Sequence, residues 1–253
     1  MKQYYFKVPC HTGFQHFMSN LTYCFNYAVQ KYGQQETEIH IYLDSRSWGI
    51  FDEFFITKTF KLIKEDDVNF TETLHGKGWL DKYGFSKILV NDIELRPFVK
   101  EKIKDSIATL GKKYTAIHCR FGDRSTNTDA IELYEDLMQK CLTESKKTNT
   151  NILLCSDNFN FIKQFKNEKN VFNFSVFKDI DFKKSLHTLN EEMFQKECKS
   201  TSKYEFNLST IIDFYLMVLS NQLVVCENGT FSKGAEAVKL YFEHKNLDLN
   251  SLI

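Results

Sequence analysis

The residues with the most chemical promise form one short run, His118, Cys119, Arg120, Phe121, Gly122, Asp123 and Arg124. Two arginines and a glycine follow a stretch of apolar, β-forming residues at 114–119 and precede a segment with helical periodicity. Such a loop makes an anion pocket, because guanidinium forks, free backbone N–H groups and the positive end of a helix dipole converge on it. A reaction that expels or transfers a phosphate group needs such a pocket. Negative charge builds on the departing phosphate, and a fixed cation or a metal must meet it. Arg120 is the candidate for that charge, with Arg124 assisting. The plain alternative is a surface loop whose arginines pair with Asp123 and Asp129. Thr230, Phe231 and Ser232, at the start of the last helical segment, offer backbone and hydroxyl donors to phosphates.

These residues are placed by alternating elements. The patterning predicts strands over 3–8, 38–43, 114–119, 152–155, 171–176 and 223–226. It predicts helices over 14–32, from Pro97 to about 110, and over 129–143, 159–165, 209–219 and 231–242. In the first helix Phe14, Phe17, Met18, Leu21, Phe25 and Ala28 recur at helical spacing. Residues 45–95 carry no clear period, and a polar stretch at about 178–206 interrupts the second half. Alternation of β and α elements implies an α/β fold with parallel sheets. Two such blocks meet near residues 95–105, so two Rossmann-like halves facing a cleft are expected, 1–100 and 101–253. Ligands of open α/β sheets sit at the carboxyl ends of the strands. Loops 118–128, 155–158 and 227–232 occupy that position.

Composition narrows the classes. The 253 residues are 42% apolar and 26% charged, which excludes a disordered chain. Thirty-three basic side chains balance thirty-three acidic ones, against a nucleic-acid binder working through bulk charge. No apolar run approaches the roughly 18 residues of a membrane span, and the first residues lack a signal-peptide core. A soluble, cytoplasmic protein with no integral membrane segment is expected. The seven cysteines (Cys10, Cys24, Cys119, Cys141, Cys155, Cys198 and Cys226) contain no CxxC pair, so no zinc site or disulfide framework is indicated.

Two families share features of the arginine loop. The run from His118 to Arg124 is similar to the tyrosine-phosphatase signature, with Cys119 as nucleophile. That signature needs five residues between cysteine and arginine, and only four separate Cys119 from Arg124. The run from Tyr114 to Asp123 resembles the His-x-Arg-x-Gly-Asp motif of the fucosyltransferase superfamily, which spans the α1,2-, α1,6- and protein O-fucosyltransferases. Further segments fall in that family's order. They are Leu95 to Val99, then Ser156, Asp157 and Asn158, and finally Asp213 to Ser220 with Glu227 to Ser232.

The resemblance implies a GT-B enzyme that transfers a sugar, L-fucose from GDP-fucose, to a glycan acceptor. The displacement would be inverting and independent of metal, with no cofactor beyond the donor. Donor contacts would come from His118, Arg120, Gly122, Arg124, Asp157, Thr230, Phe231 and Ser232. In that set Asp157 faces the N–H donors of guanine, and His118 holds the same end of the nucleotide. The acid on the apolar helix, Asp213, also has a family counterpart. Phe121 stands where many members carry a second arginine. The family's glycine-rich loop is reduced to 11–15, where His11 and Gln15 are the acceptor-side candidates. The base that takes the acceptor's proton is either Asp129, near where the α1,6 branch carries its acid, or Asp44, which ends the second strand. Rival readings are a metal-dependent GT-A transferase using Asp179 and Asp181, and a non-catalytic nucleotide-sugar binder.

Overall fold

The computed structural model describes residues 2–8, 13–33, 37–43, 48–64, 69–73, 84–121, 128–174, 189, 191–225 and 230–253, and the structural statements below concern these. The chain is α/β with two parallel four-stranded sheets, as the alternation of elements predicted.

The first sheet has the order β4-β2-β1-β5. Its centre is β1 (Lys2–Val8) against β2 (Thr37–Leu43), parallel and in register from Lys2 opposite Thr37 to Val8 opposite Leu43. Parallel neighbours need a crossover, and α1 (Phe14–Tyr32) supplies it. Its buried Phe14, Phe17, Met18, Leu21, Phe25 and Ala28 make one stripe. Residues 45–95 hold short elements that leave little periodic trace. These are β3 (Phe55–Thr57), β4 (Lys61–Ile63), β5 (Glu72–Thr73), α2 (Gly84–Asn91) and β6 (Ile93–Leu95). β3 and β6 pair antiparallel as a separate ribbon.

α3 (Pro97–Leu110) opens with proline, whose missing N–H costs nothing at a helix start, and stops at Gly111 with φ +80. The second sheet follows, with the order β10-β7-β8-β9. Its strands are β7 (Tyr114–Cys119), β8 (Asn151–Ser156), β9 (Val171–Phe172) and β10 (Gln222–Val224). β7 and β8 are buried on both faces, which is why each reads as a nearly continuous apolar run. On one face Ile117, Cys119, Ile152 and Leu154 pack with Tyr134, Met138 and Leu142 of α4 (Thr128–Thr148) and Phe161 of α5 (Phe159–Gln164). On the other, Tyr114, Ala116, Leu153 and Cys155 join a core that also takes in α1, α3, α7 (Lys203–Leu219) and α8 (Thr230–Lys245).

This larger core runs continuously from Phe6 to Leu252. Two side chains pin α7 to what surrounds it. The Tyr114 hydroxyl donates to the Leu216 carbonyl at 2.7 Å, and the Lys239 ammonium of α8 donates to Val218 O at 3.1 Å and also to Ser220 O. Lys239 thus satisfies carbonyls that the end of α7 leaves unpaired.

Several elements differ from the sequence expectation: β9 ends at Phe172 rather than 176, β10 ends at Val224 rather than 226, and α8 runs to Lys245 rather than 242. α7 starts at Lys203 rather than 209, because Ser202 and Glu205 form a reciprocal capping box. The polar stretch before it carries a further helix, α6 (Glu191–Glu197). α4 runs five residues beyond 143, to Thr148, since exposed polar residues extend a helix without adding to its apolar stripe.

Candidate functional site

Arg120 follows the last residue of β7, and its backbone is held from two sides. The Tyr134 hydroxyl of α4 donates to the Arg120 carbonyl at 3.2 Å. The next N–H, that of Phe121, donates to Asp157 Oδ1 at 2.7 Å. Phe121 itself is buried, with ring centroids 5.0 Å from both Tyr134 and Phe161. The position where many fucosyltransferases carry a second arginine is therefore an apolar anchor here. It fixes the backbone beside Arg120.

Asp157 is drawn to the end of β7 by this bond. It does not cap α5, because Asn158 does so, its side chain accepting from Phe161 N at 3.0 Å. The carboxylate lies between two loops at the carboxyl end of the sheet, where the sequence placed it.

His118 is the last inward-facing residue of β7 on the α7–α8 side, paired with Cys155 across the strands. Its Nδ1 lies 3.1 Å from Ser232 Oγ, and its ring meets Phe231 edge-on at 5.5 Å. Burial, helped by the Arg120 charge, lowers its pKa to about 4, so the imidazole is neutral at physiological pH. Ser232 is fully buried, and Thr230, half-buried, is the first residue of α8. His118, Arg120, Asp157, Phe231 and Ser232 are thus linked through direct contacts or the Arg120 field.

The start of α1 reaches the same place from the first half of the chain. Phe14 packs on Phe214 at 5.2 Å and on Phe231 at 6.4 Å. Gln15 lies against Gly234 so closely that a methyl group there would sit 1.8 Å from Gln15 Oε1. A larger residue at 234 would make the Gln15 amide swing away. His16, which the sequence reading passed over, is half-buried, and its pKa is lowered by burial and by the Arg120 charge. The available signal was weak: a polar residue beside Gln15 in an amphipathic helix.

Asp213 lies on α7 with its carboxyl buried, and Oδ1 accepts no hydrogen bond among the described residues. Burial lifts its pKa to about 7. Cys155 stands close enough that the Asp213 charge, after burial itself, pushes the thiol up. Cys119, the nucleophile of the phosphatase reading, is fully buried on the opposite face among Ile117, Phe121 and Met138. A phosphate cannot reach it there. His11, Asp44, Gly122, Arg124, Asp179 and Asp181 lie outside the described residues. So does the side chain of Asp129, whose backbone is in the first turn of α4.

Solved structures share this arrangement of parallel α/β sheets, and the fold is fucosyltransferase-like. The chain is similar to the NodZ α1,6-fucosyltransferase soaked with GDP-fucose, with a TM-score of 0.60 and 15% identity over 94% of this chain and 93% of that one. It is similar to the same enzyme co-crystallized with GDP, with a TM-score of 0.59 and 15% identity over 93% and 92%. It is also similar to fucosyltransferase NodZ from Bradyrhizobium, with a TM-score of 0.59 and 14% identity over 93% of each chain. No protein-family model matches the sequence, and no curated protein is significantly similar to it. No helix among the described residues is long and apolar enough to cross a membrane.

Proposed function

We propose that this chain is a glycosyltransferase that uses a nucleotide sugar, GDP-fucose, and passes the sugar to a glycan acceptor with inversion. The observation that carries the reading is Arg120, held at the strand end by Tyr134 and, through Phe121, by Asp157, with neutral His118 beside it. A fixed cation whose backbone does not have to reorganise is suited to the charge that develops on a leaving diphosphate. The acceptor hydroxyl oxygen attacks the anomeric carbon, the bond from that carbon to the β-phosphate oxygen breaks, and GDP departs with its new charge facing Arg120. The hydroxyl proton goes to a carboxylate, Asp129 or Asp44. In this reading residues 101–253 hold the donor, with Thr230, Ser232, Gly122 and Arg124 at the phosphates and Asp157 at guanine. Residues 1–100 present the acceptor across a cleft, through His11 and Gln15. Arg120 takes the part a metal plays in other transferases, and the reaction proceeds in the cytoplasm.

The test is calorimetric titration of the purified protein with GDP, UDP and ADP, with and without EDTA. GDP binding that survives EDTA and is lost in Arg120→Ala is the expected result, followed by transfer from GDP-fucose. UDP binding that requires Mn²⁺ would overturn the reading.

A further inference from the structure

Ser209 of α7 is 4% exposed, and its hydroxyl meets no hydrogen-bond partner among the described residues. Asp213, one helical turn further on and on the same face, is 8% exposed, and its Oδ1 is equally unmet. A hydroxyl inside a helix commonly meets this need by donating to the carbonyl four residues back. Thr210, the next residue, does so to Phe206 O at 2.9 Å, and Thr22 of α1 does so to Met18 O at 2.7 Å. The Ser209 hydroxyl is not spent on its own helix. A buried polar group left unpaired costs stability. Two of them on one helix face mark a polar slot that a ligand or a water fills.

The slot lies at the carboxyl end of the second sheet. α7 runs against the strands, and its end returns to the start of β7. There Asn221 N donates to Tyr114 O at 3.1 Å, and the Tyr114 hydroxyl donates to Leu216 O at 2.7 Å. From Leu216 back to Ser209 the helix climbs about 10 Å. From Tyr114 to His118 the strand climbs about 13 Å. Ser209 thus comes level with the His118 end of β7. α7 also touches the residues of that corner, since Phe214 packs on Phe231 at 5.6 Å and Phe231 meets His118 at 5.5 Å.

We propose that Ser209 is a specificity-determining residue of the donor site, whose hydroxyl donates a hydrogen bond to O6 of the guanine base. The proposal rests on the donor reading above, adds a residue to it and leaves Asp157 at the base. Guanine brings N1–H and N2–H₂ donors beside one acceptor, O6. Asp157 meets the donors in that reading, with the Asp213 carboxyl a further acceptor beside the slot. O6 requires a donor, which a serine hydroxyl supplies and an ionised carboxylate does not. A base with no acceptor at that position leaves the hydroxyl as unmet as it is in the empty slot.

The experiment has two arms. Without nucleotide, Ser209→Ala should melt no lower than wild type, because it removes an unmet hydroxyl. With nucleotide, calorimetric titration compares GDP with the 5′-diphosphate of 2-aminopurine riboside, which has hydrogen in place of O6. Ser209→Ala should bind GDP about tenfold more weakly than wild type, while the two proteins bind the analogue equally. Equal GDP affinity in the two proteins overturns the inference and leaves the donor reading standing, the hydroxyl then holding a buried water only. An equal loss for GDP and the analogue overturns it as well, as does a nucleotide-free variant that melts below wild type. No binding of GDP by wild type overturns both.

Discussion

His118 Nδ1 and Ser232 Oγ lie 3.1 Å apart, and this contact joins the end of the central strand to the first turn of the last helix. Both groups are buried, and burial first, then the neighbouring Arg120 charge, lowers the imidazole pKa to about 4. The pair therefore senses pH and holds two of the proposed donor-binding segments together.

The folded-state pKa of His118, about 4, lies below the unfolded value of 6.5. Between these values the unfolded chain binds the extra proton. The contribution of His118 to stability is therefore full above about pH 6.5 and is lost as pH falls toward 4, amounting to roughly 3 kcal/mol over the window. His118→Gln should reduce the loss of stability on acidification, as followed by urea unfolding at pH 7.5, 6 and 5. An unchanged slope would mean that the imidazole is not held neutral.

Asp213 has the opposite sign. Its folded pKa, about 7, lies above the ordinary 3.8, so the folded state keeps a proton that the unfolded state releases. Stability from this group is present below about pH 4 and is lost as pH rises to 7. Asp213→Asn should therefore melt higher than wild type at pH 8 and close to it at pH 4.5. Equal melting shifts at both pH values would refute a buried, proton-bearing carboxyl.

Phe121→Ala removes a ring packed between Tyr134 and Phe161 and should cost about 3–5 kcal/mol. It should also lower transfer, since the backbone of Arg120 loses its anchor. Phe121→Arg should fare no better, because its charge would enter the apolar pocket. Denaturation curves together with donor affinity check both variants.

Gly234→Ala drives a methyl into the far end of the Gln15 side chain. The amide can swing away, and alanine favours a helix by about 1 kcal/mol over glycine, so stability should change by less than about 1 kcal/mol. If Gln15 positions the acceptor, the acceptor KM should rise in Gly234→Ala and Gln15→Ala alike, with GDP affinity retained. An acceptor KM that moves in neither variant removes Gln15 from the site.

The proton acceptor can be separated from the donor contacts by kinetics. Of Asp129→Asn and Asp44→Asn, one should lower transfer by about 10²–10⁴-fold while GDP still binds. Transfer that survives in both would require another base.

The elements nearest the chemistry were the most legible. β7 and β8 are buried on both faces, so their apolar runs stand out, and Pro97 marks the start of α3. α1 was readable over its full length because its apolar stripe is regular. The Ser202–Glu205 capping box was present in the sequence but was overlooked within a polar stretch. Strands of two or three residues in 45–95 are too short to show a period.

The sequence alone determined the parallel α/β architecture and the arginine loop at a strand end, because both are written in local patterns: periodicity, a proline, a charge cluster. Tertiary structure decided that Phe121 is an anchor, that Asn158 rather than Asp157 caps α5, and that Gln15 meets α8. Those relations join residues as far apart as Gln15 and Gly234. They depend on how helices pack over a sheet, and no local period encodes that.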